Sequence, residues 1–281
     1  MESEKTLLPS SLQRLEIFFD IDGCLIDETY KFTLPVSNVA GRFGCLSHPS
    51  RIHLNSNRSL KGILPIWEMT KPNGLIIYEN GLGVFDPRNA AHTSTGKAAF
   101  NRSTLIKTLM ATGDNVKFIN TGDLIKNPSL HRGVNGCKVF YCEESREFTA
   151  TVYPRIIRDE LPTPDLEFVL QTYQLLADNY SKEYDVRKSD SFYNILITPR
   201  AALKSNPMSE IAGENRIASF GDDEADIQMF KKSTPGLIGC PANAKPEVIS
   251  YVRSHLGFIA QSSYTRGVIQ FLDYLDKKNG P

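Results

Sequence analysis

Leu15-Glu16-Ile17-Phe18-Phe19-Asp20-Ile21-Asp22-Gly23 is a short apolar run, rich in Ile and Phe, that stops at two carboxylates and a glycine. The run predicts a buried strand, and the stop sets Asp20 and Asp22 at its carboxyl end. Two acids one residue apart in such a place are costly. Each raises the pKa of the other, and removal from water adds to the penalty. A bound cation relieves the cost, and so does a proton kept on one carboxyl; both arrangements serve catalysis. A plainer account stays open. Asp caps backbone amides in turns while Gly takes a positive φ, and Asp-x-Asp-Gly also occurs in calcium loops.

A second acidic cluster lies far downstream. Arg216-Ile217-Ala218-Ser219-Phe220 reads as another short buried strand and runs into Gly221-Asp222-Asp223-Glu224-Ala225-Asp226, after which Ile227, Met229 and Phe230 begin a helix. Capping of that helix by Asp222 or Asp223 accounts for one or two of these acids. It does not account for an acidic cluster on each of two strand ends. In open parallel α/β sheets ligands bind outside the carboxyl ends of the strands. The two ends can therefore meet and share a hard cation with oxygen ligands, which suits Mg²⁺.

Together these residues resemble the haloacid dehalogenase (HAD) superfamily of phosphohydrolases. Asp20-Ile21-Asp22-Gly23-Cys24 is similar to its first motif, Asp-x-Asp-Gly-Thr, and Gly221-Asp222-Asp223-Glu224-Ala225-Asp226 to its last, Gly-Asp-x-x-Asn-Asp. Within His53-Leu54-Asn55-Ser56-Asn57-Arg58, Ser56 matches the Ser or Thr that binds the phosphoryl group at a strand end. Ile195-Leu196-Ile197-Thr198-Pro199 leads to Lys204, which matches the required lysine, with Lys188 as the alternative. The four motifs stand in order from about residue 15 onward. Cys24 replaces Thr, a change expected to be tolerated because it falls outside the acidic pair. Asn57 replaces a frequent Gly, which alters the loop after Ser56. Ala225 replaces Asn, which removes one polar contact to phosphate or metal-bound water. The run from Lys204 to Asp222 is shorter than in many members.

The resemblance implies roles. Asp20 is the nucleophile that attacks phosphorus to form an aspartyl-phosphate. Asp22 protonates the leaving alcohol and then deprotonates the hydrolytic water. Mg²⁺ is held by the carboxylates of Asp20 and Asp222 and by the backbone carbonyl of Asp22. Ser56, Asn57 and Lys204 bind the remaining phosphoryl oxygens. Asp226 and Asn243 support these groups from behind, Asp226 orienting metal-bound waters or Lys204. Asn243 also reads as an Asx-turn or helix cap. The implied activity is Mg²⁺-dependent hydrolysis of a small phosphorylated metabolite, a sugar phosphate being one candidate. A phosphotransferase or phosphomutase of the same fold is one alternative. A non-catalytic metabolite-binding protein is another, against which the intact Asp20 and Asp22 speak. A receiver domain also sets acids at strand ends, but neither the long insertion nor Asp22 suits it.

Chain organisation predicts two lobes. Over 1–82 and again over 195–281 strand-like and helix-like pieces alternate, which predicts an α/β fold with a doubly wound parallel sheet, a Rossmann-like core. Helices are expected over 36–43, 59–70 (interrupted at Pro65), 246–254 and 265–275, and strands over 52–56, 74–78, 236–239 and 257–260. Residues 83–194 have another texture. A helix over 103–112 and an antiparallel hairpin of 137–141 with 147–153 precede a helix over 164–179 and strands over 183–187 and 192–197. This predicts an inserted α+β domain. Its place between the serine and lysine motifs resembles the type-two (C2, Cof-like) cap of the family, which implies a role in substrate specificity.

Composition bounds the partners. The chain of 281 residues has 32 basic and 32 acidic side chains, so no net charge favours nucleic acid or an anionic membrane. No apolar run approaches the ~20 residues of a membrane helix, and the polar start Met1-Glu2-Ser3-Glu4-Lys5 is unlike a leader. Five cysteines (Cys24, Cys45, Cys137, Cys142, Cys240) form no metal-binding spacing with one another or with the scattered histidines. Reduced thiols in a cytoplasmic protein are the expectation. Oligomeric state is not legible.

Overall fold

A computed structural model of the protein describes residues 14–94, 99–112, 117–120, 135–189 and 193–279. The polar start and the end of the tail lie outside them, as does Phe192 at the head of a predicted strand. The chain divides into two compact units, Met1–Thr95 with Leu203–Pro281, and Gly96–Ala202.

The first unit is built on one sheet, with strands numbered along the chain. It contains β1 (Leu15–Phe19), β2 (Ser50–Asn55), β3 (Ile76–Tyr78), β4 (Gly83–Asp86) and β5 (Ala91–Ser94). After the second unit come β12 (Arg216–Phe220), β13 (Ile238–Cys240) and β14 (Phe258–Ile259). Their order is β14-β13-β12-β1-β2-β3-β4-β5. From β14 to β3 every pair is parallel, and β4 and β5 extend the edge antiparallel. β1 lies at the centre between β12 and β2, with Phe19 level with Phe220 and Leu54.

Helices cover both faces of β1, which is why its run, Glu16 apart, is apolar on both sides rather than alternating. Phe18 points into a cluster with Met208, Ala212 and Met229, from α5 (Met208–Ala212) and α6 (Ile227–Phe230). Phe19 points to the other side, onto Phe43 of α1 (Val36–Gly44) and Phe271 of α8 (Tyr264–Asn279). α7 (Pro246–Ser254) packs through Val248 and Val252 against Ile238. α2 (Leu60–Thr70) is continuous where an interruption at Pro65 was expected. Pro65 is exposed, so the backbone group left without an amide partner lies on the solvent side.

The second unit holds β6 (Lys117–Asn120), β7 (Lys138–Cys142), β8 (Ala150–Arg158), β9 (Leu161–Thr163), β10 (Tyr184–Ser189) and β11 (Asn194–Pro199). The sheet runs β10-β11-β8-β7-β6, with β9 on β8. The expected hairpin is present as antiparallel β7 and β8. Alternate residues Phe140, Val152, Ile195 and Ile197 point to one face. They meet Leu105 and Leu109 of α3 (Arg102–Met110) and Phe168 and Leu176 of α4 (Leu166–Tyr180). Asp165 caps α4, its carboxylate accepting the Phe168 amide at 3.0 Å.

The division between units differs from the expected one at 82/83 and 194/195. Residues 83–94 belong to the first unit, because β4 pairs with β3 and β5 with β4. Residues 194–199 belong to the second, because β11 pairs with β8 and β10. The half-buried alternation of Gly83–Asp86 has the texture of the insertion, but backbone pairing assigns it to the core sheet. Among the described residues no helix is long and apolar enough to cross a membrane.

Candidate active site

The Asp20 amide donates to the Phe220 carbonyl at 3.0 Å, so Asp20 is still held in the sheet ladder. The chain then turns sharply, the Ile21 carbonyl accepting the amides of Cys24, Leu25 and Ile26. Gly23 carries this turn at φ +77°, and a Cβ there would stand 2.0 Å from Asp222 Oδ2. Only glycine lets the loop after β1 close on the loop after β12. Gly221 has the same function from the other side, since its Cβ would fall 2.3 Å from that of Asp226. Asp226 therefore folds back under its own loop, and its Oδ2 accepts the amides of Asp222 (2.9 Å) and Asp223 (3.0 Å). Asp223 and Asp226 form a capping box over the short helical turn Glu224–Asp226.

Lys204 joins the two loops. Its Nζ lies 2.7 Å from Asp20 Oδ1 and 2.6 Å from Asp226 Oδ1, fully enclosed. The alternative, Lys188, sits on β10 in the other unit. The backbone at Lys204 is held by Asn55, whose Nδ2 donates to the Lys204 carbonyl at 2.8 Å and contacts Met229 Sδ at 3.3 Å. Asn55 was not singled out in the sequence, although an amide side chain at the end of an apolar strand, next to the Ser56 motif, was the available signal.

Three carboxylates (Asp20, Asp222, Asp226) thus surround one ammonium, which leaves two negative charges uncompensated when all are ionised. The acidity of the groups records this. Burial, then the charges of Asp226 and Asp222, push Asp20 well above the usual carboxylate range despite Lys204. Burial and Asp226 push Asp222 up to about 7. Burial opposes the charge on Lys204, but Asp20 and Asp226 outweigh it and hold the ammonium above the ordinary lysine value. A divalent cation would offset that charge deficit, and two of the expected ligands, Asp20 and Asp222, lie close together. One donor atom each from Asp20, Asp222 and Cys24 lie within 4.8 Å of one another. Two hard carboxylates fit Mg²⁺. Cys24, expected outside the acidic pair, is buried against it, its Sγ–H donating to Asp222 Oδ1 at 3.4 Å.

Asp22 pairs outside this cluster. Arg58 grips it with a two-pronged bond, Nε to Oδ2 at 2.8 Å and Nη2 to Oδ1 at 2.6 Å. The guanidinium also lies 5.1 Å from the Tyr30 ring centroid. Arg58 was quoted in the serine motif but given no role. Ser56 and Asn57 stand at the end of β2 and are tied to neighbours there. Ser56 Oγ accepts the Arg58 amide at 3.2 Å, and Asn57 Oδ1 accepts Asn80 Nδ2 at 3.0 Å. Asn243 bridges two loops, with Nδ2 donating to the Gly23 carbonyl and Oδ1 accepting the Tyr264 amide, both at 2.9 Å. Among the predicted residues, Asp20, Lys204, Asp222 and Asp226 form one network. Asp22 joins Arg58, and Ser56 and Asn57 join the β2 loop.

Fold and site define a parallel α/β protein with a carboxylate–lysine centre at its strand ends and an inserted α+β unit. The sequence matches the haloacid dehalogenase-like hydrolases over residues 17–272, and the chain belongs to that family. It is similar in structure to a haloacid dehalogenase-like hydrolase from Bacteroides thetaiotaomicron, with 14% identity and a TM-score of 0.66 over 94% of this chain and 100% of that one. A protein from Thermotoga maritima gives 17% identity and 0.64 over 92% of this chain and 96% of its own. A haloacid dehalogenase-like hydrolase from B. subtilis gives 15% and 0.57 over 92% and 99%. At these identities the likeness is one of fold. No curated protein matches the sequence.

Proposed function

We propose that the protein is a Mg²⁺-dependent phosphomonoester hydrolase that acts on a small phosphorylated metabolite, a sugar phosphate among the candidates, through an aspartyl-phosphate. The observation that carries this reading is the pair of uncompensated negative charges beside Asp20, at the carboxyl end of the central strand. Asp20 and Asp222, with the Asp22 backbone carbonyl, would hold the metal. When bound it would supply positive charge to the phosphoryl oxygens.

A carboxylate oxygen of Asp20 attacks phosphorus as the ester P–O bond breaks, and Asp22, carrying a proton on one oxygen while Arg58 holds the other, gives that proton to the departing alcohol. Asp22 then takes a proton from the water that cleaves the acyl phosphate and restores Asp20. Lys204, fixed by Asp226 and by Asn55 behind it, keeps a positive charge beside the nucleophile throughout. Arg58 keeps the Asp22 carboxyl oriented at the mouth of the β1 loop. Ser56 and Asn57 bind phosphoryl oxygens from the β2 loop. The unit 96–202 would act as a cap that selects substrates. None of the five cysteines is in a disulfide, which supports a reducing, cytoplasmic setting.

The test is phosphate release from a panel of phosphorylated metabolites with Mg²⁺ present and then chelated. Phosphate that accumulates only with the metal supports hydrolysis. Transfer to an added hydroxyl acceptor without free phosphate would replace it with a phosphotransferase, and no turnover of any ester would leave a binding protein. Replacing 96–202 with a short linker should abolish discrimination among substrates, and a soluble truncation that keeps full selectivity would refute the cap assignment.

A further inference from the structure

We propose that Cys24 turns the carboxylate pair into a mixed oxygen–sulfur site that takes thiophilic divalent cations, Zn²⁺ or Cd²⁺, in preference to Mg²⁺. Such ions would switch the enzyme off by occupying the place of its catalytic cation. That consequence rests on the phosphohydrolase reading above; the binding itself does not.

Several observations converge on the site. Cys24 is fully buried and its Sγ lies 3.4 Å from Asp222 Oδ1. A tetrahedral zinc ion, with about 2.3 Å to sulfur and about 2.1 Å to oxygen, sets the two donors about 3.6 Å apart. The existing spacing is therefore near that of two ligands on one ion, and an Asp20 oxygen completes a set of three within 4.8 Å. Asp20 is only 4% exposed, and its Oδ1 lies 2.7 Å from Lys204 Nζ. Gly23 lets this loop close on Asp222, where a Cβ would stand 2.0 Å from Oδ2.

The donor set decides the preference. Mg²⁺ favours oxygen and keeps several waters. Thiolate is a soft ligand that favours zinc-like ions. A threonine at this position, the usual residue of the first motif, offers only oxygen. Binding forms a metal–sulfur bond and breaks the S–H bond. The electron pair stays on sulfur, the proton leaves to buffer, and nothing is oxidised or reduced. Sequence spacing hid this arrangement because Cys24 and Asp222 are brought together only by the pairing of β1 with β12.

The test is Cd²⁺ titration of the metal-free full chain, read by the thiolate-to-metal charge-transfer band in the ultraviolet. A Cys45→Ser/Cys137→Ser background removes the two cysteines that are not buried. One band that saturates at a single equivalent is expected. Cys24→Thr should abolish it and lower the preference for Cd²⁺ over Mg²⁺ by at least about tenfold. Asp222→Asn should weaken it, and a large excess of Mg²⁺ should remove it. A band unchanged in Cys24→Thr, or one that Mg²⁺ cannot displace, overturns the proposal. Should the threonine variant lose its native circular dichroism, Cys24→Ala gives the same decision. If no ester is ever hydrolysed, the functional reading falls while the titration still decides the site. If esters are hydrolysed but Zn²⁺ inhibits Cys24→Thr as strongly as wild type, only the switch falls.

Discussion

β1 carries two buried acids on one face, Glu16 and Asp20, separated by about 13 Å of extended chain, and the protein treats them in opposite ways. Glu16 is saturated. Its Oε2 accepts His53 Nε2 at 2.8 Å and its Oε1 accepts Asn215 Nδ2 at 3.1 Å. His53 Nδ1 accepts the Leu75 amide at 3.0 Å, which leaves the ring proton on Nε2, and the ring stacks on Phe18 with centroids 4.5 Å apart. Asp20 shares one ammonium with Asp226 while Asp222 stands close by. Two donors for one carboxylate make a structural post. One ammonium for three carboxylates makes a place that wants a cation or a proton. What separates scaffold from chemistry on this strand is the balance of donors and charge, not burial.

The sharpest way to break that contrast is Asp20→Asn. The amide is nearly isosteric, so the fold should persist while kcat falls by about 10⁴-fold or more, the scale seen when a covalent nucleophile is lost. Turnover near wild type would remove Asp20 from its role. At Glu16, His53→Ala should leave chemistry alone and cost roughly 3 kcal/mol in urea unfolding, because the buried Glu16 keeps only the Asn215 donor. The pH dependence has a definite sign. Burial lowers the His53 pKa below its ordinary 6.5, more than Glu16 raises it. The native state therefore binds fewer protons than the unfolded chain, so this contribution is present above 6.5 and lost as pH falls below it. The His53→Ala variant should show a flatter acid limb, and an unaltered limb would mean that another group governs it.

Asp222→Ala should raise the Mg²⁺ concentration for half-maximal activity by about tenfold or more. Asp226→Ala should raise it less, since Asp226 meets Asp222 only through the backbone amide. Metal titrations in the reverse order would show that the two carboxylates are swapped. The smallest effect is expected from Arg58→Ala. Loss of the two-pronged grip on Asp22 should lower kcat by about tenfold, a fraction of what acid–base catalysis supplies, and shift the kcat–pH profile. Arg58→Lys should not restore it, because an ammonium lacks the fork. An unchanged profile would make Arg58 merely structural.

Much of this was legible in the residues. Apolar runs that end in Asp-x-Asp-Gly and Gly-Asp-Asp marked both strand ends, because strands buried on two faces carry no polar alternation. Lys204 was legible only through motif order, since nothing local distinguishes it from Lys188. What stayed hidden depends on partners distant in sequence. The Arg58 grip on Asp22, the Asn55 bond to the Lys204 carbonyl and the approach of Cys24 to Asp222 leave no periodic trace. Glu16 did leave a trace that went unread. A charged residue inside a run whose neighbours are all buried requires a partner, and His53 on the adjacent strand supplies it. The boundary at residues 83–94 was missed for a different reason, because two antiparallel strands at the edge of a parallel sheet look like the insertion that follows them.

The bonds that close the β1 loop also set a schedule. Thr265 Oγ1 donates to the Leu25 carbonyl and accepts the Thr33 amide, while Asn243 ties Gly23 to the start of α8. β1 itself needs β12 on its flank. On a ribosome the Asp20 loop is made early and its clasps late, so residues 20–33 have only their own turn bonds until those partners emerge. A growing chain halted before residue 240 would hold Asp20 and its β12 partner but neither the Asn243 and Thr265 clasps nor α8. Closure of the Asp20 loop is therefore a late event of synthesis, after the whole inserted unit has emerged.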